Sequence, residues 1–478
     1  MEINKSQNSA FLWQLGGGLF QTIVRLGGSY VLARNILPDE YGLFALALLY
    51  QTLVSFLFSA GFGSALIYKQ KVTQVYYSTC YLSMAFIKLL MFLFAFSTSG
   101  IVEVFFEQDG LDEIIQLVSI TFLLTIPEGV GQSMLQKEMR YKTLNLIRLS
   151  CIFIETIVAV FCVLAFDMGL MALVVAMLVN AALCFLLFVL TSTHKVTFDF
   201  SISAFKDMLH FGVHGLGFSM VNYAMSYFDQ IVIGKVLGAS SLGIYEFAGR
   251  VPGLVLEKIA RAIGSTVFPT LSSVESKTEE FDLLLSKGVV VITALSAPFL
   301  IYLICLADKF VLWLWGEQWL GVITPLRILC VYFLIRCICQ PGFGVNMSRG
   351  KPKANFLIAL VSFAILAVSI FPLMKWLGVV GAAYAMVLSV FPSIYLFVSV
   401  VNNYAKAPIS IFSDVWWLLF LSTVSCMPLL FIKNLIIAGD FLTLILSGLS
   451  GVTVYIASIV FFKRRLIYLI LNKEIKSV

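Results

Sequence analysis

An all-α integral membrane protein of about 14 transmembrane helices is the fold class that the sequence predicts, and three observations predict it. Sixty per cent of the 478 residues are hydrophobic and 12% are charged, where soluble domains carry about 25% charged residues. Runs of roughly 18 or more mostly apolar residues recur along the whole length, each long enough to cross about 30 Å of hydrocarbon. Lysine and arginine alternate between successive loops as the positive-inside rule requires.

The spans run in order over 11–33, 41–60, 79–104, 113–135, 145–166, 168–192, 210–234, 242–269, 284–307, 320–345, 354–374, 378–401, 413–432 and 441–462. Most connections are short, so no soluble domain is inserted. The first apolar run is too long for the hydrophobic region of a cleavable signal peptide. With the N-terminus inside, the cytoplasmic segments hold 19 basic residues, among them Lys69, Lys71, Lys137, Arg140, Arg349 and Lys351. The outer segments hold five: Arg34, Lys235, Lys309, Lys375 and Lys433. This bias puts both termini in the cytoplasm. It also accounts for the net charge of +6 without a nucleic-acid partner.

The chain repeats. "VLARNILPDEYGLFA" (31–45) at the end of the first span is echoed by "VIGKVLGASSLGIYE" (232–246) at the end of the seventh. Val31 meets Val232, Arg34 meets Lys235, Gly42 meets Gly243 and Phe44 meets Tyr245. A second echo pairs "PEGVGQSMLQK" (127–137) with "PGFGVNMSRGK" (341–351), at the ends of spans four and ten. A displacement of six spans keeps the orientation, so the halves are parallel repeats about an axis along the membrane normal, a plan that transporters use. The expected organisation is an N-terminal six-helix lobe over 1–200, a C-terminal six-helix lobe over 201–405, and two additional helices with a basic cytoplasmic tail over 406–478.

Several chemistries lose their footing. All nine cysteines fall within apolar runs and none forms a CxxC pair, so they read as packing residues. His210 and His214 stand one turn apart with no Glu or Cys nearby to complete a zinc set, and read as an interfacial pair. No GxxxxGK[ST] phosphate loop is present, so the chain hydrolyses no ATP itself. No outer loop is large enough for a polymerase or ligase domain, and an enzyme is not expected.

Charge inside the spans is the informative feature, because a cation at the centre of a span costs roughly 2.5–3.5 kcal/mol on insertion scales. In "RVPGLVLEKIAR" (250–261), at about 100° per residue, Glu246, Arg250, Glu257 and Arg261 share a stripe under about 90° wide. Glu257 and Arg261 stand at i,i+4, and Pro252 is expected to kink the helix. Gln14, Gln21 and Arg25 form a similar stripe on span one, and Asn222, Ser226 and Asp229 on span seven. On span ten, Arg336 and Gln340 are one turn apart and lead towards Asn346. Structural ion pairs are the competing reading, for instance Asp229 with Arg250 or Arg148 with Glu155. Taken as a set, the cations outnumber the nearby acids, and a surplus of guanidinium groups suits an anionic substrate, phosphate in particular. Lys88, which has no polar stripe, and Arg327, about 180° from Arg336, are left out of the site.

Several segments carry a family resemblance: "YVLARNILPDEYGLFALALL", "AGFGSALI", "QKEMRY", "DQIVIGKVLGASSLGIYEFAGRV", "FPTLSS", "GEQWLGVITPLRIL" and "SRGKPK". They resemble the Wzx-type polysaccharide flippases, in the superfamily that also holds the MATE drug exporters and the lipid II flippase. The resemblance covers about residues 10–400. It implies two six-helix lobes in a V-shaped, MATE-like arrangement that works by alternating access. It implies transport of undecaprenyl-diphosphate-linked oligosaccharide repeat units from the cytoplasmic to the outer leaflet of a bacterial inner membrane, for surface polysaccharide synthesis. Glycan polymerase or assembly proteins would be its partners, besides membrane lipids. Arg25 and Arg250 occupy places comparable to the cavity arginines of relatives, and the expected substrate-binding set is Arg25, Gln21, Arg250, Arg261, Arg336 and Asn222. No cofactor is expected. Coupling to H+ or Na+ has Asp229, Glu257 and Glu155 as its candidates, in transport or as ion pairs. A MATE-like antiporter of cationic drugs and a non-transporting scaffold of a glycan-assembly complex stay open as alternatives. The first needs a cavity dominated by carboxylates, and this one is dominated by arginine.

Overall fold

The computed structural model describes residues 2–58, 62–69, 72–192, 197–432 and 448–457, with the side chains of 2–15, 19, 64, 210–222, 262, 265–269 and 428–432 outside the description. Among the described residues all regular structure is helical. The chain divides into two compact units, Met1–Gly243 and Ile244–Val478.

The first unit holds α1 (Glu2–Asn35), α2 (Pro38–Leu57), α3 (Phe62–Tyr68), α4 (Gln74–Phe106), α5 (Leu111–Leu124), α6 (Ile126–Lys137), α7 (Tyr141–Phe166) and α8 (Leu170–Thr191). It also holds the first part of α9 (Ile202–Val255). Its helices start where the sequence offers caps. Thr73 Oγ1 accepts from Tyr76 N at 3.3 Å to open α4. At α2, Pro38 occupies the first turn and Glu40 Oε2 accepts from Leu37 N at 3.0 Å. A core of Phe62, Tyr76, Tyr77, Val130 and Met208 packs α3, α4, α6 and α9 together.

The second unit continues α9 into a π-helical turn (Leu256–Ala260) and α10 (Arg261–Ser272). It then runs through α11 (Glu279–Cys305), α12 (Ala307–Leu314), a 3₁₀ turn (Glu317–Val322), α13 (Ile323–Ser348), α14 (Pro352–Leu377), α15 (Val379–Ser389), α16 (Phe391–Tyr404) and α17 (Pro408–Ile432). Phe281, Leu285, Leu396, Val400 and Ile411 form its core between α11, α16 and α17. α14 is the least enclosed span, and its exposed Leu357, Leu360, Val361, Val368 and Phe371 present an apolar face suited to hydrocarbon.

Among the described residues, ten helices are long and apolar enough to cross a membrane, or eleven if α5 and α6, bent by 45°, form one span. The protein is thus a multi-pass, all-α membrane protein. Two predicted spans are interrupted and two are joined. Span four is broken at Thr125, with Pro127 just inside α6. Span twelve is divided into α15 and α16 at Val390, ahead of Pro392. Spans seven and eight join in one long α9, and where a loop was expected the chain turns at Gly238 alone. Its φ of 82° and ψ of 179° are open only to glycine, and Gln108 Oε1 accepts from the next amide, Ala239 N, at 3.3 Å. Most of span fourteen lies outside the described residues, which include the short apolar helix Gly448–Ala457.

Candidate functional site

The charged stretch at 250–261 is helical throughout, but not uniformly. Pro252 removes an amide from the ladder of α9, and a π turn follows at Leu256–Ala260. A π turn pairs i with i+5, so it re-phases the residues beyond it. Glu257 and Arg261 form no ion pair with each other among the described residues. Glu257 Oε1 instead pairs with its neighbour, Lys258 Nζ, at 2.9 Å. Arg261, the first residue of α10, is exposed and forms no ion pair among the described residues. Arg250 is half-buried, with its guanidinium 5.5 Å from the Phe247 ring centroid. That ring is stacked on Trp319 at 3.7 Å and meets Trp315 edge-on at 4.9 Å, so the cation rests on a buried aromatic cluster.

On α13, Arg336 donates from Nη1 to Ser393 Oγ at 3.4 Å and lies 5.4 Å from the Phe343 ring centroid. Its Nε is buried without a hydrogen-bond partner. Asn346, buried one helical stretch onward, donates to Asn355 Oδ1 at 3.1 Å and so belongs to a helix–helix contact with α14. Arg327 is structural: its Nε donates to Ile304 O at 3.1 Å, and Nη2 lies 3.6 Å from Asp308 Oδ1.

In the first unit, α1 carries Arg25, exposed, and Gln21, half-buried. α1 lies close against α7, since a Cβ on Gly28 would collide with Thr156 Cγ2. Glu155 on α7 accepts from Asn180 Nδ2 of α8 at 2.6 Å, and Arg25 is near enough to act on it electrostatically. Glu155 therefore keeps company with Asn180 and Arg25 rather than with Arg148. Asp229 on α9 is buried at 6% exposure. The side chains of Asn222, Gln14, His210 and His214 lie outside the described residues.

Sequence reasoning missed Lys88. A cavity of about 650 Å3 opens within the first unit, and Lys88 of α4 lines it together with Gln51, Thr121, Thr125, Gln132 and Asn180. Its Nζ donates to Thr125 O at 2.9 Å and Thr125 Oγ1 at 2.5 Å, where α5 ends and α6 begins. A cation at the C-terminal end of a half-helix satisfies orphan carbonyls and complements the helix dipole. The break in span four thus turns the polar end of α5 into a cavity wall. The break at Thr125 and Pro127 was the available signal, because a broken span exposes backbone that needs a partner.

Comparison with known proteins agrees with this fold. The chain matches the family described as polysaccharide biosynthesis protein over residues 31–324. It is 26% identical over 301 residues to the teichuronic acid biosynthesis protein TuaB of Bacillus subtilis (strain 168), covering 62% of this chain and 62% of that one. To the lipopolysaccharide biosynthesis protein WzxC of Escherichia coli (strain K12) it is 25% identical over 333 residues, covering 68% of this chain and 66% of that one. The matched regions thus span less than two thirds of either relative. Among solved structures, the lipid II flippase MurJ in its inward-closed conformation shares the fold with a TM-score of 0.76 at 15% identity, covering 96% of this chain and 100% of that one. An inward-facing multidrug resistance MATE transporter follows with a TM-score of 0.64 at 14% identity, covering 82% and 96%. With its match covering well over half its length, the chain belongs to the polysaccharide biosynthesis protein family.

Proposed function

We propose that this protein is a flippase that moves undecaprenyl-diphosphate-linked oligosaccharide repeat units from the cytoplasmic to the outer leaflet of a bacterial inner membrane, with both termini in the cytoplasm. It acts as a transporter rather than an enzyme. The observation that carries the reading is the guanidinium of Arg261, directly after a π turn and without an ion pair among the described residues, in a member of a polysaccharide biosynthesis family. Such turns are rare and often mark functional positions. The relatives' names support it: one is a putative O-antigen transporter of Shigella flexneri, 23% identical over 399 residues.

In this reading Arg25, Arg250, Arg261 and Arg336 engage the diphosphate, with Gln21 and Asn222 beside them. Guanidinium forks match phosphate oxygens in pairs. Glu155, bonded to Asn180, is the leading candidate for coupling to H+ or Na+, ahead of Asp229 and Glu257. Glycan polymerase and assembly proteins are the proposed partners that consume the product. The test is surface polysaccharide in a strain whose own gene is deleted and replaced by variants. Arg250→Ala and Arg261→Ala are expected to lose polysaccharide with normal protein level and insertion. Wild-type polysaccharide in both would remove this helix from the mechanism.

A further inference from the structure

The cavity around Lys88 differs in chemistry from the arginine-bearing helices. Its volume of about 650 Å3 lies within the range of small-molecule sites. Among the described residues that line it, Lys88 is the single charged group and there is no carboxylate. The rest of the polar wall is amide and hydroxyl, drawn from four helices: Gln51 on α2, Thr121 on α5, Gln132 and Gln136 on α6, and Asn180 on α8, with Thr125 at the break between α5 and α6.

Part of that wall is committed to the protein itself. Gln51 Nε2 donates to Thr121 Oγ1 at 2.5 Å, and Lys88 spends two of its three hydrogens on Thr125. Gln132 and Gln136 are not committed. They stand one turn apart on α6, both line the cavity, and neither amide has a hydrogen-bond partner among the described residues. One ammonium with a single hydrogen to spare is a poor match for a diphosphate, which calls for several cations. Amides that both donate and accept, beside apolar Phe58, Met84 and Met91, match a sugar ring, whose hydroxyls do the same and whose C–H faces are apolar.

We propose that this cavity is a saccharide subsite, in which Gln132, Gln136 and the free hydrogen of Lys88 bind hydroxyls of the glycan head group. The subsite rests on the flippase reading, and it assigns the sugar to the first unit's polar cavity and not to the arginines. Lys88 then has two roles, holding the end of α5 in place and presenting one donor to the sugar.

The experiment is native mass spectrometry on the purified full-length protein with two probes: undecaprenyl diphosphate, and the same lipid carrying a galactose–glucose disaccharide. The wild type is expected to bind the glycosylated lipid on the order of tenfold more tightly, about 1.4 kcal/mol. The double variant Gln132→Leu, Gln136→Leu is expected to lose that preference while its affinity for the bare lipid diphosphate is unchanged. Lys88→Met tests the ammonium, with Lys88→Arg as the control that keeps the cation at the end of α5. A preference retained in the double variant overturns the subsite. Equal binding of both lipids by the wild type overturns it too, and leaves the flippase reading standing. Binding of neither lipid overturns both.

Discussion

Arg261 and Lys88 show how differently two intramembrane cations can be read from sequence. Arg261 was visible because its neighbours on the same helix are charged, so one turn-by-turn projection exposes the stripe. Lys88 was not, because its polar partners come from α2, α5, α6 and α8 while its own helix is apolar around it. A projection of one helix has no view of convergence between helices. The local projection also gave Glu257 the wrong partner: at the π turn over Leu256–Ala260 it pairs with Lys258. Arg261 is exposed and has no ion pair among the described residues, so Arg261→Ala is expected to leave the melting temperature within about 1 °C of the wild type, as surface substitutions do, while transport falls. A large drop in melting temperature would recast Arg261 as a structural residue. Glu155→Gln keeps an acceptor for Asn180 and removes the titratable group. Dependence of transport on a proton or sodium gradient is expected to vanish in it, and intact dependence would move coupling elsewhere.

At the scale of elements, the spans were legible because apolar runs depend on local composition; the helix starts that Thr73 and Thr278 cap, and those with Pro38, Pro352 and Pro408 in the first turn, were not read. The breaks were less legible than the spans, since a glycine's φ leaves no mark in the sequence. The internal repeat acquires a physical meaning here. Gly42 and Gly243, which the repeat places in equivalent positions, meet within the first unit: a Cβ on Gly42 would collide with the Ala239 carbonyl, and one on Gly243 with the Pro38 carbonyl. Gly42→Ala and Gly243→Ala are each expected to cost about 1–3 kcal/mol, the usual penalty of overpacking, measurable as a lower melting temperature; no change would mean that the backbones are free to separate. Beside this contact, Lys235 Nζ lies 2.6 Å from Glu107 Oε1, and that hydrogen bond holds the Glu107 carboxyl below its ordinary value of 4.5. A lowered carboxylate pKa gives stability that is present above 4.5 and lost as pH falls through the folded value. The melting-temperature difference between wild type and Glu107→Gln is therefore expected to close on acidification below pH 4.5, by a small amount because the pair is exposed. A difference that persists at low pH would assign the effect to packing.

For the whole molecule, the fold class followed from hydropathy and loop charge, both of which integrate over hundreds of residues and tolerate local error. The 15% identity to the lipid II flippase at a TM-score of 0.76 shows the same tolerance: the fold is shared where most residue identities are not. What such patterning carries less well is the site, which depends on a few side chains brought together by tertiary packing. In the proposed flippase a cation-bearing set would engage the diphosphate and a separate amide-lined cavity would take the sugar, in a multi-pass protein of a polysaccharide biosynthesis family. The most direct test is reconstitution of the purified protein in liposomes holding undecaprenyl-diphosphate-linked galactose–glucose disaccharide with a fluorescent label, read by the fraction of label that crosses to the opposite leaflet. The account predicts rapid crossing with the wild type and a loss of at least roughly tenfold in Arg250→Ala and Arg261→Ala, about 1.4 kcal/mol of differential interaction. Crossing by the wild type at the rate of protein-free liposomes would contradict it.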